Sequence, residues 1–568
     1  MRKRIVIAAI ASAAVVTTIV MLPPRSVSLP SAGDIPEPVR GVVHVHTVRS
    51  DGSGTLEEIA AAAARAGLKF VILTDHGDGT REPEPPAYRH GVLCIDAVEV
   101  TTFAGHLVAL GLASAAPYPL GGEPRDVVED VERLGGMSIA AHPVSEKAAL
   151  RWNGWTAQTD GLEWLNADSE WRNEHVASIA RAFITYPWRQ SETLAALLQR
   201  PAEALSAWDN LTRERRVVAL AAVDAHANLG LMSLSRSDAN RSSIALPGYE
   251  HIFRTFSVAL PQIQLTGDAM MDAGAVVREI RSGHVYSSID ALASPARMTF
   301  TASSGGRLAS PGDELPLGGS VAIRAQTTAP RGSRTTLLAN GRPVKSSDDA
   351  TLTYEAPAER AAYRLEVRIP GTKPDEAAVP WLLSNPIYVG GFETVVPPPW
   401  QPRHTLVRYA DGPPLSKDGW GIEKNGESQA LLDHVKDPVK GGTRLLLRYA
   451  LSGSTAGDAW IGLGMRSGTH LAEYDRVMFT ARAEQPMRLW VQLWRPTPTG
   501  NQYWRRSVYL DPTDREISVR FDDLRPVDDA SETPPLTEVQ SIMFVVDRTH
   551  TPLGRSGKLW IDNIRYAR

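Results

Sequence analysis

The stretch GVVHVHTVRSDGSG, Gly41–Gly54, joins an apolar run to a Ser-Asp-Gly turn and sets two histidines, His44 and His46, two residues apart. On a strand, residues i and i+2 share a face. Both imidazoles would then converge on one point, where a divalent cation is a natural partner. Asp51 follows five residues after His46. By itself the stretch is equally well explained by two structural histidines and an exposed turn aspartate. The rest of the chain separates the two readings.

From residue 40 to about 290, apolar strand patterns alternate with helical ones. VVHVHTV, LKFVILTDH, MSIAAHP, DGLEWLNAD and VVALAAVDAH read as strands. LEEIAAAAARAG, opened by Thr55 and closed by Gly67, reads as a helix, as does PRDVVEDVERLGG. Repeated β-then-α units with continuous apolar strands predict α/β architecture with a parallel sheet or barrel, its polar residues at the C-terminal strand ends. GVLCIDAVEVTT and HLVALGL are expected to pair with each other. After residue 291, short alternating runs around Asn-Gly and proline turns predict an immunoglobulin-like β-sandwich over 291–392. A proline-rich linker over 393–403 and a second, longer all-β sandwich over 404–568 follow. Every candidate ligand precedes residue 227, so a fragment of residues 29–290 is expected to hold metal, provided that it folds without its neighbour.

A net charge of -4 over 568 residues argues against a nucleic-acid binder. Residues 1–28 read as a signal peptide or signal anchor: MRKR is followed by the uncharged 18-residue run Ile5–Leu22, then by Pro23 and Pro24. The basic start places the remainder outside the cytoplasm, on the periplasmic or extracellular face, released or held by a single-pass anchor in the inner membrane. The single cysteine, Cys94, excludes an intrachain disulfide.

Further polar motifs end the predicted strands. TDHGD supplies Asp75 and His76, AVEVTT supplies Glu99, and AGHL supplies His106. AAHP supplies His142, and VDAH supplies Asp224 and His226. Satisfied core histidines would scatter over both ends of such a unit, whereas these cluster at one. Imidazoles beside carboxylates bind Zn²⁺, Mn²⁺ or Fe²⁺. Nine ligands (six histidines with Asp51, Glu99 and Asp224) are too many for one tetrahedral ion, so two or three ions and hydrolytic chemistry are expected. Asp75 is expected to orient its neighbours, while Arg49 and Asn166 are substrate-contact candidates weighed against plain turn roles. His90, His175, His251 and His284 match no ligand motif, and His284 in SGHVYSS is the exception to watch.

In order, HxHTxxSDG, TDH, Glu…His, AHP and DxH resemble the PHP (polymerase and histidinol phosphatase) superfamily. EVTT…GHLVALG, DGLEWLN and SNPIYV look like its CehA/McbA branch of metallohydrolases, over roughly residues 40–390. The resemblance implies a distorted (β/α)7 TIM-like barrel over 29–290. It implies a first ion held by His44, His46, Glu99 and Asp224, and a second held by Glu99, His106 and His142. Asp51, His76 and His226 would hold a third. Glu99 and Asp224 would bridge ions or orient a metal-bridging hydroxide that hydrolyses a small or glycan-linked phosphoester, with a carbamate or carboxylic ester as the alternative. A reading of a different class is a glycan-binding surface protein with a structural metal. Half of the 14 tryptophans lie from Trp400 onward, and KLWIDNIRY resembles galactose-binding-like carbohydrate-binding jelly rolls.

Overall fold

The structure, a computed structural model, describes residues 16–30, 34–227, 247–370, 378–392, 400–409, 419–425, 427–436, 441, 443–453, 459–466, 471–498, 500–527 and 532–568. Most of the apolar run Ile5–Leu22 therefore lies outside the described residues. Among the described residues, no helix is long and apolar enough to cross a membrane. The chain divides into two compact units. The first comprises Met1–Gly77, Glu82–Ser114 and Val128–Thr394; the second comprises Asp78–Arg81, Ala115–Val127 and Val395–Arg568.

Eight strands frame the first unit's candidate ligands: β1 Val39–Val45, β2 Phe70–Leu73, β3 Val92–Asp96, β4 Val98–Thr102, β5 Gly105–Leu110, β6 Met137–Ala140, β7 Gly161–Asn166 and β8 Val218–Ala222. Runs such as FVIL and MSIA are buried along their whole length, as expected where both strand faces are covered. β1, β2 and β3 pair in parallel, and β3 passes over Ala97 into β4. β6, β7 and β8 are also parallel. The end of β8 returns to β1 through bonds from Val223 N to Val43 O (3.0 Å), Ala225 N to His44 O (3.1 Å) and His46 N to Ala225 O (3.0 Å). Inside lie Val43, Phe70, Ile72, Leu93, Ile95, Val108, Ile139 and Leu220.

The even β-then-α alternation expected from the sequence is not what forms. β4–β5 and β5–β6 are antiparallel, and no helix separates β4 from β5. Gly105 is the reason for the hairpin: its φ of 105° reverses the chain, and a Cβ there would lie 2.5 Å from the Arg151 carbonyl oxygen. The helix α1, Leu56–Arg65, matches its sequence signals, with Thr55 and Glu58 forming a reciprocal capping box.

Residues 291–392 also depart from the expected division. Leu382–Ser384 pairs with Tyr286–Ser288, which pairs with Ser257–Leu260, which pairs with β1, so one sheet runs on from β1 past residue 290. Asn385 pins it to β8: its Oδ1 accepts from Ala219 N (2.8 Å), and its Nδ2 donates to the carbonyls of Ala219 (3.0 Å) and Val285 (2.9 Å). A fragment ending at residue 290 would strip that cover and leave β8 backbone groups unpaired, so the proviso that 29–290 folds without its neighbour bears directly on Asn385.

In the second unit two six-stranded sheets enclose one core. Leu445, Phe479 and Ile561 from one sheet meet Ile461, Leu489 and Phe544 from the other, a β-sandwich. Trp504 belongs to this core, as a packing role requires.

A fragment of residues 29–290 should be recovered unfolded, without cooperative melting. In the full chain, Asn385→Ala should lower unfolding free energy by about 2–4 kcal/mol through orphaned buried groups. Denaturant titration checks both. A cooperatively folding 29–290 fragment would refute the shared sheet as a folding requirement.

Candidate metal centre

The opening strand does not reach its ligand geometry by simple alternation. His44 adopts φ 68°, and the β1–β2 register shifts between Val42 and Val45. The kink brings both histidines together. His44 Nε2 and His46 Nε2 each lie 3.3 Å from Glu99 Oε2, and 3.4 and 3.3 Å from Asp224 Oδ1. All four side chains are buried, and these four atoms make no hydrogen bond of ordinary geometry. Donors about 2.1 Å from one ion at tetrahedral angles stand about 3.4 Å apart, which these four separations match; the groups here close enough to share an ion include His44, His46 and Glu99, and His44, His142 and Asp224.

The other expected ligands join the same cluster. The second Glu99 oxygen, Oε1, lies 2.8 Å from both His106 Nδ1 and His142 Nε2. The two oxygens thus face different histidine sets, the arrangement a bridging carboxylate requires. Asp51 Oδ2 lies 3.3 Å from His226 Nε2 and 3.5 Å from His76 Nε2, and His76 Nδ1 lies 3.1 Å from Glu99 Oε2. The groupings differ in detail from those the resemblance implies: His46 also stands with Asp51, His76 and His226, and His44 with His142 and Asp224.

The turn after β1 needs Gly52, because a Cβ there would lie 2.2 Å from the His46 carbonyl oxygen. Asp75 holds this turn from below, accepting from Thr47 N (2.7 Å) and Ser50 Oγ (2.7 Å). It is an organiser of the loop, as expected. Arg49 is engaged by Asp75, Glu84 and Asp96, so its fork is spent on the protein's own carboxylates. Asn166 donates to Glu163 Oε2 (2.8 Å) and Asp224 Oδ2 (3.1 Å), and its Oδ1 caps the helix Ala167–Arg172. Both are positioning residues in this structure. His284 sits apart, between Glu279 and Asp313 at 3.0 Å each.

Sequence reasoning missed Glu163. It is buried on β7, with Oε1 2.5 Å from His44 Nδ1 and Oε2 accepting from His142 N at 2.9 Å. The available signal was an acid inside the otherwise apolar GLEWL.

Burial disfavours charge throughout the cluster, yet opposite partners override it. Asp224, Glu163 and Glu99 hold His44 well above the usual imidazole range. Glu99 raises His142, and Asp51 raises His226, each to about 9. The surrounding imidazoles hold Glu99 and Asp224 well below the carboxylate range. His46, where burial dominates, is lowered.

Without metal, protons on these histidines offset the buried acids. A pKa raised by folding stabilises fully below about 6.5 and less as pH climbs through about 9. Chelated protein should therefore melt at progressively lower temperature from about pH 6.5 to 9, and Zn²⁺ or Mn²⁺ should restore it while releasing protons. Calorimetry in buffers of different ionisation heat measures that release. A flat melting profile in chelator would contradict the protonated cluster.

No family model matches the chain. Similar solved structures include the family 11 carbohydrate-binding module from Clostridium thermocellum in complex with a beta-1,3-1,4-mixed-linked tetrasaccharide. It is 18% identical, covering 26% of this chain and 88% of that one, with a TM-score of 0.23. A family 30 carbohydrate binding module is 11% identical over 29% of this chain and 98% of its own, also with a TM-score of 0.23. At such scores the likeness carries no inference. The uncharacterized protein MJ1587 of Methanocaldococcus jannaschii is 30% identical over 140 residues, 22% of this chain and 80% of that protein. The chain belongs to the family of MJ1587.

Proposed function

We propose that this protein is an exported, multimetal-dependent phosphoesterase of the PHP type, in the CehA/McbA-like branch, with a distorted (β/α)7 TIM-like barrel as its catalytic unit. The observation that carries this reading is the convergence of four orphaned buried atoms from His44, His46, Glu99 and Asp224, with each imidazole nitrogen 3.3–3.4 Å from both carboxylate oxygens. Two or three ions, Zn²⁺, Mn²⁺ or Fe²⁺, would be held there by those residues with Asp51, His76, His106, His142 and His226. Such ions supply Lewis acidity to ester oxygens and bring the pKa of water towards neutrality.

The chain's own groups prepare that site. Glu163 accepts the Nδ1 proton of His44, which leaves the Nε2 lone pair facing Glu99 and Asp224. Asn166 occupies one Asp224 oxygen and leaves the other free for the centre. Asp75 fixes the turn that presents Asp51. A phosphate ester, with several anionic oxygens, suits this density of cation positions better than a neutral carbamate.

Export is supported by the basic MRKR before the apolar run. For the second unit, one observation favours a carbohydrate partner: Trp494 stacks on Tyr503 at 5.5 Å and meets Trp460 at 6.0 Å, with all three half-buried.

Purified protein should contain bound transition metal by mass spectrometry and turn over an aryl phosphate or phosphodiester faster than an aryl carbamate. Glu99→Gln keeps the size but removes the charge shared between two cation positions, so it should lose at least one ion and about 10²-fold in rate. His90→Ala, whose half-exposed ring pairs with Glu57, should retain both. A Glu99→Gln protein with full metal and full rate would overturn the bridging assignment.

A further inference from the structure

Beside Asp51, Asp224 and His226 opens a cavity of about 300 Å³. One wall is ionic and includes Arg172, whose Nε bonds Asp168. The opposite wall is apolar, formed by Trp171, Leu194, Leu197 and Ile252. A second cavity of about 260 Å³ shares Trp171, Leu194 and Pro247 with the first. Its lining is apolar outward to Phe183 and Tyr186, and the Phe183 ring meets the Trp171 ring edge-on at 6.4 Å. Together the two spaces fall in the range that encloses a drug-sized ligand. The path leads from the metal centre to the surface and becomes less polar on the way.

The surface at its mouth is unusual. The helix Val176–Thr185 and the turn after it expose Val176 (84%), Phe183 (45%), Ile184 (43%) and Trp188 (69%). Water-soluble surfaces seldom group large apolar side chains in this way, whereas aromatic and aliphatic clusters of this type suit a bilayer interface. The N-terminal apolar run ends at this same place. Arg181 Nε donates to the Met21 carbonyl (2.8 Å), Arg189 Nη1 donates to that of Pro23, and Val16, Ile19 and Val20 are exposed beside them in sequence. Residues 16–22, the described end of this uncharged run, thus lie against the patch and add apolar side chains beside it.

We infer that the helix Val176–Thr185 and Trp188 dock on the bilayer and that the substrate is a lipid phosphomonoester drawn from it. The phosphate would reach the metal centre and Arg172, and the acyl chain would lie along Trp171, Leu194 and Phe183. This assignment rests on the hydrolase reading above and names its substrate class. In the reaction, water's oxygen adds to phosphorus, the bond from phosphorus to the lipid alcohol oxygen breaks, and that alcohol takes a proton. One water is consumed, and inorganic phosphate is released.

The test uses the full chain reconstituted in phosphatidylcholine vesicles. Because Cys94 is buried and is the sole cysteine, Trp188→Cys accepts a single polarity-sensitive fluorophore. Its emission should shift to the blue and be quenched by brominated lipid, while a label at Leu308→Cys, 72% exposed, should remain in water. Dioleoyl phosphatidate in the vesicles should be hydrolysed with kcat/KM about tenfold or more above glycerol phosphate, and Leu194→Trp, which fills the groove, should erase most of that ratio. A label at 188 as open to aqueous iodide as the one at 308 would overturn the docking surface. An immersed label with no preference for phosphatidate would overturn the substrate. Protein that binds no metal and hydrolyses neither ester would instead sink the hydrolase reading, a result the fluorescence arm does not share.

Discussion

Two carboxylates, Glu99 and Asp224, are buried together, and among the described residues the ion-pair partners of both are imidazoles. Burying an ionised carboxylate is costly unless an opposite charge accompanies it. Protons on the histidines can supply that charge, and so can divalent ions, which carry more of it per site. The end of the ring of strands where these residues meet is therefore a place where the fold is stable only in company. Histidines arrive there from β1, from the ends of β2, β6 and β8, and from β5, because no single element could place six rings around two acids.

That crowding is also paid for in backbone strain. His44, His142 and Asp224 all have positive φ, as does Ala227 just beyond His226. Each such non-glycine residue costs on the order of 1–3 kcal/mol and persists only where its surroundings over-determine it. Those surroundings are visible: Glu163 grips His44 and the His142 amide, Ala225 bonds back to His44 and His46, and Asn385 pins β8 from outside. The distant segment that carries Asn385, just past Leu382–Ser384, is thus part of what holds the strained cluster in place, and it links residues 291–392 to the strands that bear that cluster.

The candidate ligands were legible in the sequence because metal chemistry would demand particular residue types at strand ends, and apolar runs mark those ends. All nine assemble. Thr55 and Gly67 likewise bounded their helix, since capping is local. What escaped was non-local. Glu163 lies within an apolar run, where an acid reads as a solvated outward residue until its strand is seen to be covered on both faces. The antiparallel course of β4–β5–β6 turns on one glycine's φ, and the continuity of the sheet past residue 290 turns on pairings nearly a hundred residues apart. Residues 78–81 and 115–127 group with the C-terminal sandwich through contacts such as Asp126 with Arg488, and no composition shift announces this.

The chain between β7 and β8 separates two tasks that the strands cannot perform together. Strand ends fix ligands to within tenths of an ångström, but they offer little apolar surface. Residues 167–211 form helices that contribute Trp171, Arg172, Leu194 and Leu197 to the cavity beside His226. An apolar wall there excludes water, and a lower local dielectric would strengthen interactions between the cluster and an anionic ligand of the kind proposed above. The same helices can change their outer residues without moving a metal ligand, because the ligands belong to other elements. Under the hydrolase reading proposed above, selectivity would be carried by a helical excursion of the chain, and reactivity by the strands it leaves and rejoins.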